Sequence, residues 1–404
     1  MSKPGLRMTP ALFALISLAC WRMAAGFQIG VTHTGTDWSR WSDPVSVARA
    51  ESLLREGAIT WQSQGVVGSG GMWLPSKTPP TTPGGYDWSS LDYRVQAMRN
   101  ASAVRGRMVL RLFDAPQWMD DPNATKRGLI APDHFADFAE FCGQVAARYP
   151  DVGHFLVWNE MDGFISGSDW NAPCPNMTMN GPSYTELFRL VSRAVKAKNP
   201  SAKVGGPYVP ISSAQCDPGA AGEVSGPWGA VNKGVLDFIK YFVEHAAGDF
   251  DFFAMDGHLA YKRVRLNGTS FSPPATADPR NSTEIFPAIT AWVRESSGLR
   301  AEVPIWWAEM YPVPCFDTTA YEDNRSWPVE EQLAVYTKAV KEISAPELGV
   351  EVFLNWGAEA NSNCFAAMYN DTKLPGGGYP TPFYDIARKF NSNGRQYVES
   401  RTQG

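Results

Sequence analysis

The sequence predicts a closed α/β barrel of the (β/α)8, or TIM, type, in one domain spanning residues 26–404. Three observations lead there. Eight short β-rich runs alternate with amphipathic helical stretches along the chain, with no linker or low-complexity segment between them. Those runs are nearly continuous in apolar residues, the pattern of parallel strands buried on both faces. No G-x-G-x-x-G or P-loop glycine cluster follows the first run, which argues against an open, doubly wound sheet.

Taken in order, the first strand is expected in "FQIGVTH" (27–33). The helix "DPVSVARAESLLREG" follows, with Asp43 or Ser42 as its cap and Pro44 at the first helical position. "AITWQSQ" and "RMVLRLF" supply the second and third strands. In "DHFADFAEFCGQVAARY" the residues Phe135, Phe138, Cys142, Val145 and Tyr149 form one helical stripe, so the Cys142 thiol is expected to be buried and free. "HFLVWNE" is the fourth strand and "PSYTELFRLVSRAVKAKN" the helix after it. "AKVGGPY", "FDFFAMDGH", "VPIWWAEM" and "VEVFLNWG" complete the eight. The long segments after strands four, five and six are rich in Gly, Pro and Asn and read as surface loops shaping a cleft. Pro75, Pro79, Pro80 and Pro83 mark another stiff loop on the same rim.

At 404 residues and 44% hydrophobic content, the chain can bury a sizeable core. Its net charge of -5 and lack of a Lys/Arg run provide no field for a phosphate backbone, so nucleic acid is not expected as a partner. Fifteen tryptophans suit the flat faces of sugar rings as well as a core. The N-terminus places Lys3 and Arg7 before the apolar "ALFALISLACW" and the small residues of "RMAAGF". This is the order of a secretory signal over 1–25, too short to span a bilayer, so the mature chain is expected to be extracellular, monomeric and free of a membrane. Seven N-x-S/T sequons, at Asn100, Asn123, Asn176, Asn267, Asn281, Asn324 and Asn370, fit that route and predict a glycoprotein. With the signal removed, Cys174, Cys216, Cys315 and Cys364 lie in loops after consecutive strands, and the pairing expected is 174 with 216 and 315 with 364. No CxxC pair or histidine cluster suggests a metal site, and no cofactor is called for.

Chemistry enters at two strand ends. "HFLVWNEMDG" closes an apolar run on Asn159 and Glu160, and "VPIWWAEMY" closes another on Glu309, three strands later. Barrel enzymes carry their active groups at the C-terminal ends of the strands, so both carboxylates are expected to face one mouth. Cleavage of a glycosidic bond needs one carboxyl group to protonate the leaving oxygen and another to attack or stabilise the anomeric carbon. Close carboxylates repel, which lets a neutral acid and an ionised nucleophile coexist. The bland reading of each is a buried carboxylate paired with an Arg, and that of Asn159 is a turn former at the strand exit.

As an ordered series these motifs resemble glycoside hydrolase clan A, the retaining (β/α)8 glycosidases, across the whole mature chain. "WNE" matches that clan's strand-four Asn-Glu and "WWAEM" its strand-seven nucleophile, while "DFFAMDGHLAY" looks like the strand-six segment and "FLNWG" offers the strand-eight Trp. The resemblance implies Glu160 as acid/base, Glu309 as nucleophile, Asn159 as partner of the sugar 2-hydroxyl, Tyr261 or His258 beside the nucleophile, and Trp356 as a platform under the ring. "GRMVLRLFDAPQW" and "KVGGP" are most similar to the family of β-xylosidases and α-L-iduronidases (family 39), with the β-1,4-glucanases and mannanases (family 5) second. The function implied is a secreted retaining glycosidase acting on β-linked oligo- or polysaccharide, its two carboxyl groups roughly 5 to 5.5 Å apart.

Trp118 and Trp73, in loops behind strands three and two, are candidate sugar subsites, whereas Trp158, Trp306 and Trp307 read as barrel wall. His33 and Asp114 also lie at strand exits, and neither is assigned a catalytic role. One departure stands out. The clan commonly carries an Arg at the end of strand two, where this chain has Gln62 and Gln64, and Arg111 on strand three is the available substitute. If no cation reaches Glu309, the alternative is a carbohydrate-binding protein on an inactive barrel. A structural matrix protein would need repeats that the sequence lacks.

Overall fold

The computed structural model describes residues 26–33, 42–67, 85–102, 104, 106–123, 129–161, 163–166, 178–211, 213–214, 219–258, 265–266, 269–270, 283–311, 329–360, 366–373 and 375–402. Eight parallel strands close into a barrel: β1 (Gln28–Thr32), β2 (Gln62–Gly65), β3 (Met108–Leu112), β4 (His154–Val157), β5 (Lys203–Ile211), β6 (Phe252–His258), β7 (Ile305–Tyr311) and β8 (Val350–Asn355). Neighbours in sequence are neighbours in space throughout, and β8 pairs with β1 to close the ring. A helix follows each strand: α1 (Pro44–Glu56), α2 (Ser89–Ala101), α3 (Phe135–Arg148), α4 (Gly181–Lys198), α5 (Lys233–His245), α6 (Ile285–Ser296), α7 (Val329–Ile343) and α8 (Pro382–Thr402). All eight expected strands are present, so the (β/α)8 reading holds.

Period-two alternation sorts the strand residues into two apolar layers. Met108, Leu110 and Leu112 of β3 face the helices, while Val109 faces the barrel axis with Leu156, Ala254, Val352 and Leu354. The floor of the barrel is aromatic: Trp61 stands edge-on to Trp306 at 4.8 Å between ring centroids, and Phe252 stacks on Trp306 at 4.2 Å. Gly30 is what admits Trp61, since a Cβ on Gly30 would lie 2.4 Å from the tryptophan's own Cβ. Trp158, Trp306 and Trp307 are all buried, Trp158 and Trp307 in the layer under the helices and Trp306 inside the barrel.

The helices obey their sequence signals. Asp43 caps α1 by accepting from the Ser46 N–H at 2.9 Å, with Pro44 at the first helical position. Phe135, Phe138, Cys142, Val145 and Tyr149 form the buried stripe of α3, and Cys142 is a free thiol. Cys174, Cys216, Cys315 and Cys364, and with them the expected disulfides, lie outside the described residues, as do residues 1–25, where a leader is expected. Among the described residues, no helix is long and apolar enough to cross a membrane.

One loop holds more structure than expected. After β5 an antiparallel three-stranded sheet forms from Ser213–Ala214, Ala221–Gly226 and Gly229–Asn232. Its hairpin turns through Pro227 and Trp228 into Gly229, whose φ of 108° is open to glycine and costly for other residues. Glycines mask the alternation of this segment in the sequence, which therefore predicts a loop there.

Candidate active site

The C-terminal ends of the strands gather the charged and strained residues. Among the described residues, seven non-glycine residues have positive φ, and six of them sit at this rim: His33 after β1, Asp114 after β3, Trp158, Glu160 and Met161 after β4, and Tyr208 in β5. Each such conformation costs on the order of 1–3 kcal/mol and persists where the surroundings enforce it, as they do around binding sites.

Alternation along β3 brings Arg111 to the inner face, one step above Val109. Two irregularities deliver its partners. The β5–β6 register runs from Pro207 opposite Ala254 to Val209 opposite Met255, so Tyr208 is the extra residue. Its left-handed φ of 56° turns the ring inward. On β7 the register with β6 runs from Trp307 to Glu309, skipping Ala308. With Ala308 already facing the axis, this bulge puts Glu309 on the inner side as well, whereas strict alternation would turn it toward the helices.

The three then meet. Arg111 Nη1 donates to Glu309 Oε2 at 2.5 Å and to the Tyr208 hydroxyl at 3.2 Å. The Tyr208 hydroxyl in turn donates to the same carboxylate oxygen. Only 3% of the Arg111 side chain and 5% of the Glu309 side chain is exposed, so this is a buried ion pair at the base of the mouth. Burial, followed by the charge of Glu309, pushes the Tyr208 phenol well above its ordinary value and keeps it a donor.

His33 closes the group. Its Nε2 lies 3.0 Å from Arg111 Nη2, its Nδ1 lies 2.7 Å from Thr32 Oγ1, and its ring stands edge-on to Trp356 at 5.7 Å between centroids. Burial holds its pKa well below the ordinary value, the Arg111 charge adds to this, and Glu160 opposes it. Glu160 and Asn159 are both partly buried. Trp356 is partly buried too, and its turn is fixed by Asn355, whose Nδ2 donates to the carbonyls of Trp356, Gly357 and Ala366 at 3.2, 3.3 and 2.8 Å.

The other expected site residues fall as follows. Arg111 does reach Glu309. On strand two Trp61 faces the axis, so Gln62 faces outward, and its Nε2 donates to the Ile59 carbonyl at 2.7 Å. Trp118 is partly buried and packs against the outer core, edge-on to His134 at 5.2 Å. Tyr261 and Trp73 lie outside the described residues, and of His258 only the backbone, paired with Tyr311 of β7, is described. Sequence reasoning missed Tyr208 and passed over His33. The signal for Tyr208 was a ring at the exit of "AKVGGPY"; nothing local foretold its bulge. Among the described residues there is no cluster of three or more His, Cys, Asp or Glu that could hold a metal ion.

No protein-family model matches the chain, and no curated protein matches it. Solved structures do. A monomeric β-xylosidase from Caulobacter crescentus CB15 superposes with a TM-score of 0.52 at 16% identity, over 91% of this chain and 68% of that one. A family 39 enzyme from Xanthomonas axonopodis pv. citri gives 0.51 at 15% identity, over 92% of this chain and 66% of that one. A broad-specificity family 5 endoglucanase from Clostridium acetobutylicum gives 0.54 at 12% identity, over 90% and 96%. What the chain shares with them is the (β/α)8 barrel. At these identities the likeness concerns the fold alone, and the chain spans about two thirds of the first two structures.

Proposed function

We propose that this protein is a secreted, retaining glycoside hydrolase acting on β-linked sugars in an oligo- or polysaccharide, with Glu309 as nucleophile and Glu160 as acid/base. The observation that carries the reading is the placement of Glu309: a carboxylate at the C-terminal end of β7, aimed inward by a bulge and held through Oε2 by Arg111 and Tyr208. In this reading Arg111 and Tyr208 hold Oε2 and orient the carboxylate toward the anomeric carbon. Attack forms the glycosyl–Glu309 bond and expels the leaving oxygen, which takes its proton from Glu160. Glu160 then draws a proton from water as that water displaces the sugar. Asn159 contacts the 2-hydroxyl, and Trp356 offers a flat apolar face below the ring.

A buried ion pair can also be purely structural, yet such pairs rarely repay their desolvation. One built at the functional end of a barrel, from residues in strained conformations, fits a working site better. The Arg111 contact also removes the missing strand-two cation as a reason to prefer an inactive, carbohydrate-binding barrel.

The test is a panel of aryl β-glycosides and plant, algal and fungal polysaccharides, incubated with wild type, Glu309→Ala and Glu160→Ala. Wild type is expected to release sugar, with the β-anomer forming first by proton NMR, and Glu309→Ala to lose roughly 10⁴-fold or more in kcat, the loss expected when a covalent nucleophile is removed. Glycan binding without release by wild type would establish the binding-protein reading instead.

A further inference from the structure

We propose that His33 is a positioning residue for Glu309, acting through Arg111: its imidazole, in the Nδ1–H tautomer and bonded to Thr32, receives one guanidinium nitrogen and so keeps the other on the carboxylate. The inference rests on the proposed glycosidase reading for its catalytic consequence and on geometry alone for the contact itself.

The tautomer follows from donor and acceptor inventory. A guanidinium has five N–H donors and no acceptor, so the ring nitrogen 3.0 Å from Arg111 Nη2 must be the unprotonated one. The proton then sits on Nδ1 and points to Thr32 Oγ1 at 2.7 Å. That hydroxyl also lies 3.3 Å from the Gly357 N–H in the turn that carries Trp356. A line of contacts therefore runs from the β8 turn through Thr32, His33 and Arg111 to Glu309, joining four strands of the barrel.

An Arg can meet a carboxylate in many ways. Here Nη1 serves Glu309 and Tyr208 while Nη2 is engaged by His33, which pins the guanidinium plane at both ends. The left-handed backbone at His33, with φ 59°, is the strain that turns the ring toward Arg111. The described charged and titratable groups facing the imidazole are Arg111 on β3 and Glu160 after β4, with Glu309 and Tyr208 behind Arg111. Protonating His33 would set a cation against Arg111 and abolish the Nε2 acceptor, so the arrangement holds only while the ring is neutral.

Two measurements test this. Nitrogen-15 NMR of the imidazoles, with His33 assigned from its loss in His33→Gln, is expected to show an unprotonated Nε2 and a protonated Nδ1 at neutral pH. An Nε2–H tautomer or an imidazolium there would overturn the proposal, whether or not the protein cleaves any glycoside. In kinetics on the best aryl glycoside, His33→Ala is expected to lower kcat about 10- to 100-fold with little change in KM and to shift the acid limb of the kcat/KM profile. His33→Gln, which restores an acceptor near Nε2, should recover most of that loss at equal thermal stability. Equal loss in both variants, confined to KM with an unmoved pH profile, would make His33 a substrate contact and overturn the positioning role. A wild type that releases no sugar would sink the proposed function, while the nitrogen spectra would still decide the seat of His33 on Arg111.

Discussion

At the scale of single residues, the site is governed by what a buried carboxylate requires. Glu309 cannot sit at 4% exposure without partners, and Arg111 and Tyr208 supply a full charge and a hydroxyl to the same oxygen. Tyr208→Phe removes the weaker of the two while preserving shape. A hydrogen bond to a charged group contributes about 1.5–3 kcal/mol, so kcat/KM of the proposed glycosidase is expected to fall roughly 10- to 100-fold. Steady-state kinetics on an aryl glycoside measures this, and unchanged activity would show that Arg111 alone suffices. The part Tyr208 plays beside Arg111 was not legible in the sequence, because Tyr208 and Glu309 lie 101 residues apart and meet only across the barrel.

At the scale of elements, local signals were reliable where the chemistry is local. The Asp43–Pro44 start of α1 is written in neighbouring residues, and the structure has that cap, with the Asp43 carboxylate accepting from both the N–H and the hydroxyl of Ser46. These bonds hold the Asp43 pKa below its ordinary value. Asp43→Ala should destabilise the folded chain at neutral pH, read as a lower denaturant midpoint with an unchanged slope. The α3 stripe was equally legible from its 3.6-residue spacing. The bulges in β5 and β7 were not, since a bulge is a mismatch between two strands and neither strand alone records it.

At the scale of the molecule, the two ends of the barrel divide the work. The rim holds charge and strain, and the floor holds an aromatic cluster closed by His154, whose Nδ1 lies 2.9 Å from the Gly106 carbonyl and whose ring packs on Trp61 and Trp306. Burial pushes the His154 pKa from 6.5 down to about 4. A histidine depressed on folding takes up protons preferentially in the unfolded chain, so its contribution to stability is whole above pH 6.5 and is lost as pH falls toward about 4. The midpoint of thermal unfolding is expected to drop through that window, and His154→Gln should flatten the drop. An identical pH dependence in the variant would assign the acid sensitivity to other groups.

The alternation of strands and helices, the caps, the buried helix faces and the position of Glu160 and Glu309 at strand ends were all determined by the sequence itself, because each depends on residues within a turn or two of one another. The tertiary structure alone decided that Arg111 reaches Glu309 across 198 residues, that Tyr208 and not a strand-two cation completes the cradle, and that His33 belongs to it. The physical reason is that inward or outward facing at the barrel mouth is set by register between strands, and register is fixed only when all eight close on one another.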